Sequence, residues 1–191
     1  MEYSKIFSSK DFSTAIEYKQ NQRVKDFLLR SDGQEELVFA LWSPSCGHSR
    51  YTALINEIVW PEDGDRNIHG NASFEYKYLL KACRLALKSG KGVALLHSHL
   101  GPGWQDLSLV DIDTEEKTFI NSFTATDLPF IGMTIGTDGY WSSRVWYYDT
   151  DNRITRKWAS TVRIAGPELK VYFNNNIVPK IKLTEQLVRT I

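Results

Sequence analysis

The chain is poor in cysteine: two in 191 residues, Cys46 and Cys83, with neither in a C-x-x-C pair. That excludes a disulfide framework and a cysteine-built zinc site. Charge of one sign is equally lacking, since 23 basic residues balance 23 acidic ones. A general nucleic-acid or membrane-surface binder normally carries a one-signed excess, so neither partner is expected. No apolar run approaches the ~18 to 20 residues of a membrane span. The opening "MEYSKIFSSK" has no apolar segment of the kind a signal peptide carries. A cytoplasmic protein with both thiols reduced is the simplest expectation. Repeats and low-complexity tracts are missing too, as are a P-loop and a dinucleotide fingerprint.

What remains is a chain of one-domain length with enough apolar material, 42% hydrophobic and 13% aromatic, to build a core. "NQRVKDFLLRSDG" places Val24, Phe27 and Leu28 on one helical face, with Gly33 as a stop. "ELVFALWS" is apolar on both faces and reads as a buried strand over residues 37 to 42. "SPSCGHSR" reads as a turn, and "YTALINEIVW" as the next strand, ended by Pro61. "PEDGDRNIHGN" reads as a polar surface loop that leaves His69 in solvent. A helix with apolar positions 78, 79, 82, 85 and 86 follows, closed by Gly90. "KGVALLHSH" is a buried strand, and Ser108 opens a helix expected to run to about residue 120. "LPFIGMTIGTDGYWSSRVWYYD" makes two strands around a turn at Thr137-Asp138-Gly139. Downstream, "ITRKWASTVRI" and "ELKVYF" read as strands. "TEQLVRTI" reads as the start of a helix without a stop, which leaves room for a longer natural protein. The order points to an α/β layered domain, a central mixed sheet flanked by helices. Residues 1–150 form its main body, and 151–191 an extension packed on it.

The chemistry concentrates in "HSHLGPGWQDLSLVD", residues 97 to 111. Histidines at i and i+2 on a strand project to one side, so His97 and His99 can reach one ion. The Gly- and Pro-containing loop can bring Asp111 back to them. Two imidazoles and a carboxylate are a catalytic zinc ligand set that leaves a position for water. Ser108-x-x-Asp111 is also close to a helix capping pattern, and that role is compatible with the first. Trp104, inside the loop, either meets a substrate tail or anchors the loop. Trp141, Trp146 and Trp158 read as core or core-edge. Cys46-Gly47-His48 reads as a turn, because adjacent residues give poor geometry for a thiol and its base.

These elements resemble the JAMM motif of the JAB/MPN metalloproteases: an upstream glutamate, H-x-H, a spacer of about seven residues and S-x-x-D. Here they are His97-Ser98-His99, an eight-residue spacer, and Ser108-Leu109-Val110-Asp111. The similarity covers residues 20 to 148. It is closer still to bacterial members encoded beside ubiquitin-like proteins and their activating and conjugating enzymes, some in antiphage operons. Two departures stand out: Leu100 follows H-x-H where the family has proline, and the spacer is one residue longer. The resemblance implies a JAB/MPN-like fold, bound Zn²⁺ on His97, His99 and Asp111, and hydrolysis of an isopeptide or peptide bond. The partner it implies is a ubiquitin-like protein, as precursor or conjugate. It also implies a general base among Glu35 and Glu36, with Glu35 favoured, and an oxyanion donor in Ser108. Two alternatives stand beside this reading: a peptidase of the same type acting on a small peptide or cysteine adduct, and a catalytically inactive MPN-type binding scaffold.

Overall fold

A computed structural model describes residues 2–174; the helix expected in "TEQLVRTI" lies outside the described residues. The fold is mixed α/β and layered. Its centre is a nine-stranded mixed sheet in which the most buried strands are neighbours. Strand β2 (Leu37–Cys46) lies between β3 (Arg50–Val59) and β6 (Gly92–Ser98), antiparallel to both. Beyond β6 come β7 (Phe130–Ile135), parallel to it, then β8 (Trp141–Tyr148) and β9 (Ile154–Trp158). On the other side, β3 pairs with β1 (Asp11–Glu17), followed by β10 (Thr161–Ala165) and β11 (Lys170–Phe173). The sheet curls far enough for Ala159 N–H to donate to Ser143 of β8 and Ser160 N–H to Phe12 of β1.

Both faces of β2 are buried, which explains its unbroken apolar run. Val38, Ala40 and Trp42 face a core closed by α1 (Glu2–Ser9) and α2 (Tyr18–Leu28), through Phe7, Val24 and Leu28. Leu37, Phe39 and Leu41 face a second core closed by α3 (Tyr76–Ser89) and α4 (Leu109–Thr126). Gly90 ends α3 at φ 64°, a left-handed conformation that favours glycine, and its N–H returns to Ala86 and Leu87.

Several boundaries differ from the sequence expectation. β2 runs through the expected turn to Cys46, because Pro44 and Ser45 still pair with Ala53 and Thr52. The expected polar loop after Pro61 contains a hairpin, β4 (Arg66–His69) with β5 (Asn71–Phe74). Its alternating half-exposed pattern carries no hydrophobic signal; His69 itself is exposed. α4 continues past residue 120 to Thr126, where Asp127 takes a left-handed turn. "ITRKWASTVRI" is two strands, broken at Ala159-Ser160 where the chain crosses from β8 to β1. α1 and β1 precede everything the periodicity revealed. Among the described residues, no helix is long and apolar enough to cross a membrane.

Candidate metal centre

The end of β6 delivers both histidines. Leu37 of β2 pairs with His97, so continuing that register puts Glu35 opposite His99 and Glu36 opposite Ser98. Alternation then separates the two glutamates. Glu35 shares the face of His97 and His99 and lines the same pocket. Glu36 points to the other side, 1% exposed, and is paired with Arg30 and Arg66 at 3.1 Å each. Its backbone N–H donates to Ser98 Oγ, and Leu37 N–H donates to its carboxylate. The Glu35 N–H donates to Gly70 O, tying the strand entry to the β4–β5 turn.

Asp111 arrives from α4. Ser108 is its N-cap: the Ser108 hydroxyl accepts from Asp111 N–H at 3.1 Å, and Asp111 Oδ2 accepts from Ser108 N–H at 2.9 Å. The capping box therefore forms, with aspartate at its third position. The Ser108 hydroxyl proton is also spent on Asp111 Oδ2, at 2.7 Å. Ser108 thus fixes the carboxylate in place.

The loop between them is anchored. Thr137 N–H donates to Gly101 O and His99 N–H to Ile135 O, while Gly103 N–H donates to Asp138 Oδ2. Trp104 packs on Trp158 with ring centroids 5.9 Å apart. Of the two roles expected for Trp104, its contact is the anchoring one. Leu100 is 59% exposed at the pocket rim. Cys46 and His48 are both exposed, and Cys46 Sγ accepts from Lys10 Nζ rather than from the histidine.

One ligand atom each from His97, His99 and Asp111 lies within 4.8 Å of the others. The two Nε2 atoms are 3.1 Å apart; His99 Nε2 is 3.3 Å from Asp111 Oδ2, and His97 Nε2 is 3.8 Å from Asp111 Oδ1. Ligand atoms at about 2.0–2.1 Å from a tetrahedral zinc stand about 3.3 Å from one another, so the observed spacings bracket that edge. Electrostatics agree. Burial, reinforced by Arg144 and His99, holds the His97 imidazole well below its ordinary pKa, so it is neutral and offers a lone pair. Its contacts gather on Nε2, because Nδ1 is buried with no hydrogen-bond partner among the described residues. Burial pushes the Asp111 carboxyl up, but hydrogen bonds from His99 and Ser108 outweigh it and hold Asp111 well below the usual carboxylate range. Burial raises the Glu35 carboxyl, with Asp111 adding to it and His99 opposing.

His97, His99, Asp111 and Glu35 line one pocket of about 830 Å³, together with residues of β5 and the start of α4. Sequence reasoning missed two contributors: β5, and Glu115, buried beside the pocket. An acid at i+4 from Asp111 on a helix was the available signal for Glu115.

No family model matches the chain, and no curated protein matches it. Among solved structures it is similar to protein DSY2949 from Desulfitobacterium hafniense, at 14% identity and a TM-score of 0.44, over 80% of this chain and 94% of that one.

Proposed function

We propose that the chain is a zinc-dependent peptidase of the JAMM (JAB/MPN) type. It cleaves the peptide or isopeptide bond that follows the C-terminus of a ubiquitin-like protein, within a cytoplasmic bacterial conjugation system of the antiphage kind. The observation that carries this reading is the convergence of His97, His99 and Asp111 on one point, with Glu35 in the same pocket.

His97 and His99 supply two nitrogen ligands, and Asp111 the carboxylate. A zinc ion held there supplies Lewis acidity and lowers the pKa of water to about 7. Glu35 serves as the base that takes the water's proton and hands it to the leaving amine. Its burial-raised pKa suits a group that must both accept and release a proton. Ser108 orients Asp111 through the capping box, and its hydroxyl is the candidate donor to the developing oxyanion once it turns from Asp111. The pocket lined by β5 and the start of α4 is where the substrate's chain segment would bind.

The test is cleavage of a ubiquitin-like fusion drawn from a conjugation operon, with wild type beside Glu35→Ala. Cleavage by wild type, lost in Glu35→Ala with zinc retained, is expected. Equal cleavage by both, or none by a zinc-loaded wild type across such fusions, contradicts the reading.

A further inference from the structure

α4 brings two acids to one face, four residues apart. Asp111 enters the ligand cluster. Glu115, one turn on, is 1% exposed and meets Arg144 of β8, which is 0% exposed. Arg144 grips the Glu115 carboxylate with Nε, at 2.8 Å, and with Nη2. Trp146 Nε1 donates to the same carboxylate at 2.8 Å. The remaining arm, Arg144 Nη1, donates to Thr134 Oγ1 at 2.6 Å. Thr134 pairs with His97 across β6 and β7, and its Oγ1 lies 3.4 Å from His97 Nε2. One guanidinium therefore touches the helix that carries Asp111 and the neighbour of a histidine ligand.

β7 is shaped for this. Gly132 sits directly opposite Arg144. A Cβ there would lie 2.5 Å from both Glu115 oxygens and 2.6 Å from Arg144 Nε. A buried ion pair adds little net stability over a well-packed apolar pair of the same volume. Its fixed, multiply bonded geometry is what an apolar pair cannot supply.

We propose that Glu115 and Arg144, with Thr134, form a brace that sets the distance between α4 and β6, and so the three-ligand geometry of the metal centre. They are positioning residues, and the inference rests on the zinc reading above. The test uses the double variant Glu115→Gln/Arg144→Met in the full chain. The amide introduced on α4 still accepts from Trp146, while the ion pair and the Thr134 contact are gone. Zinc affinity is read by competition with a chromophoric chelator, ligand geometry by the visible bands of the cobalt-loaded protein, and folding by thermal unfolding.

The expected result is a folded variant with zinc affinity lower by about 10–100-fold and altered cobalt bands. A folded variant with wild-type affinity and bands overturns the brace. If the double variant does not fold, Thr134→Val decides. Weakened zinc binding at an unchanged melting temperature, restored by Thr134→Ser, supports the brace, and wild-type binding by Thr134→Val overturns it. A wild type that takes up neither zinc nor cobalt overturns the metal centre and the brace together. A metal-binding wild type with unaltered variants overturns the brace alone.

Discussion

At the entry to β2, Glu35 and Glu36 differ by one position and face opposite sides of the sheet. Glu35→Ala removes the proposed base and none of the proposed metal ligands. Hydrolysis should fall to background with zinc content unchanged, as read by paired activity and metal assays. Glu36→Ala removes the buried carboxylate that pairs with Arg30 and Arg66, leaving Arg30 its Asp32 pair, and should destabilise the fold, read by urea unfolding. The resemblance favoured Glu35 without excluding Glu36, because β2 is buried on both faces and its apolar run gives no alternation to follow. The register with β6 separates them. The two cysteines differ just as sharply. Burial pushes the Cys83 thiol up to about 11, whereas Cys46 is exposed. At neutral pH iodoacetamide should label Cys46 alone in the native protein, with Cys83 reacting only on unfolding. Native labelling of Cys83 would contradict its placement on the buried face of α3.

Among the elements, the start of α4 carries a cap and a proposed metal ligand in one turn. Ser108→Ala should cost about 1 kcal/mol through the lost cap. It should also loosen Asp111, so zinc affinity falls together with stability; a stable variant with unchanged zinc binding would contradict the capping account. The H-x-H strand, the S-x-x-D helix start and the Gly-containing loop were legible because each has a local signature. Other elements were not. In β1 the buried positions include Ser13 and Thr14, and Ser13 is satisfied by Thr52 Oγ1 at 2.9 Å. Short polar side chains paired across strands leave no hydrophobic trace. The β4–β5 hairpin is half-exposed along its length, yet its second strand forms one wall of the pocket.

Over the whole molecule, the sheet joins distant parts of the chain. β10 lies parallel to β1, which in turn lies parallel to β3, so strands near both ends of the described chain are neighbours. Such pairings between residues about 150 positions apart have no sequence signature, which is why the layered α/β class was legible and the strand order was not. A chain ending at residue 150 would lose β9, β10 and β11 and leave the edge of β1 unpaired. It should fail to give a cooperative unfolding transition, as measured by circular dichroism on heating. A cooperative, wild-type-like transition in that fragment would show the last strands to be an accessory layer.

The central claim is that His97, His99 and Asp111 hold one metal ion. It is tested most directly by the metal content of the purified protein, measured by mass spectrometry for wild type and Asp111→Ala side by side. The account predicts about one zinc per chain in wild type and little in the variant, since a tetrahedral site that loses one of three protein ligands binds far more weakly. Wild-type protein that stays metal-free after zinc is supplied would contradict it, leaving Ser108 and Asp111 as a helix cap and the two histidines as neighbours without a shared task.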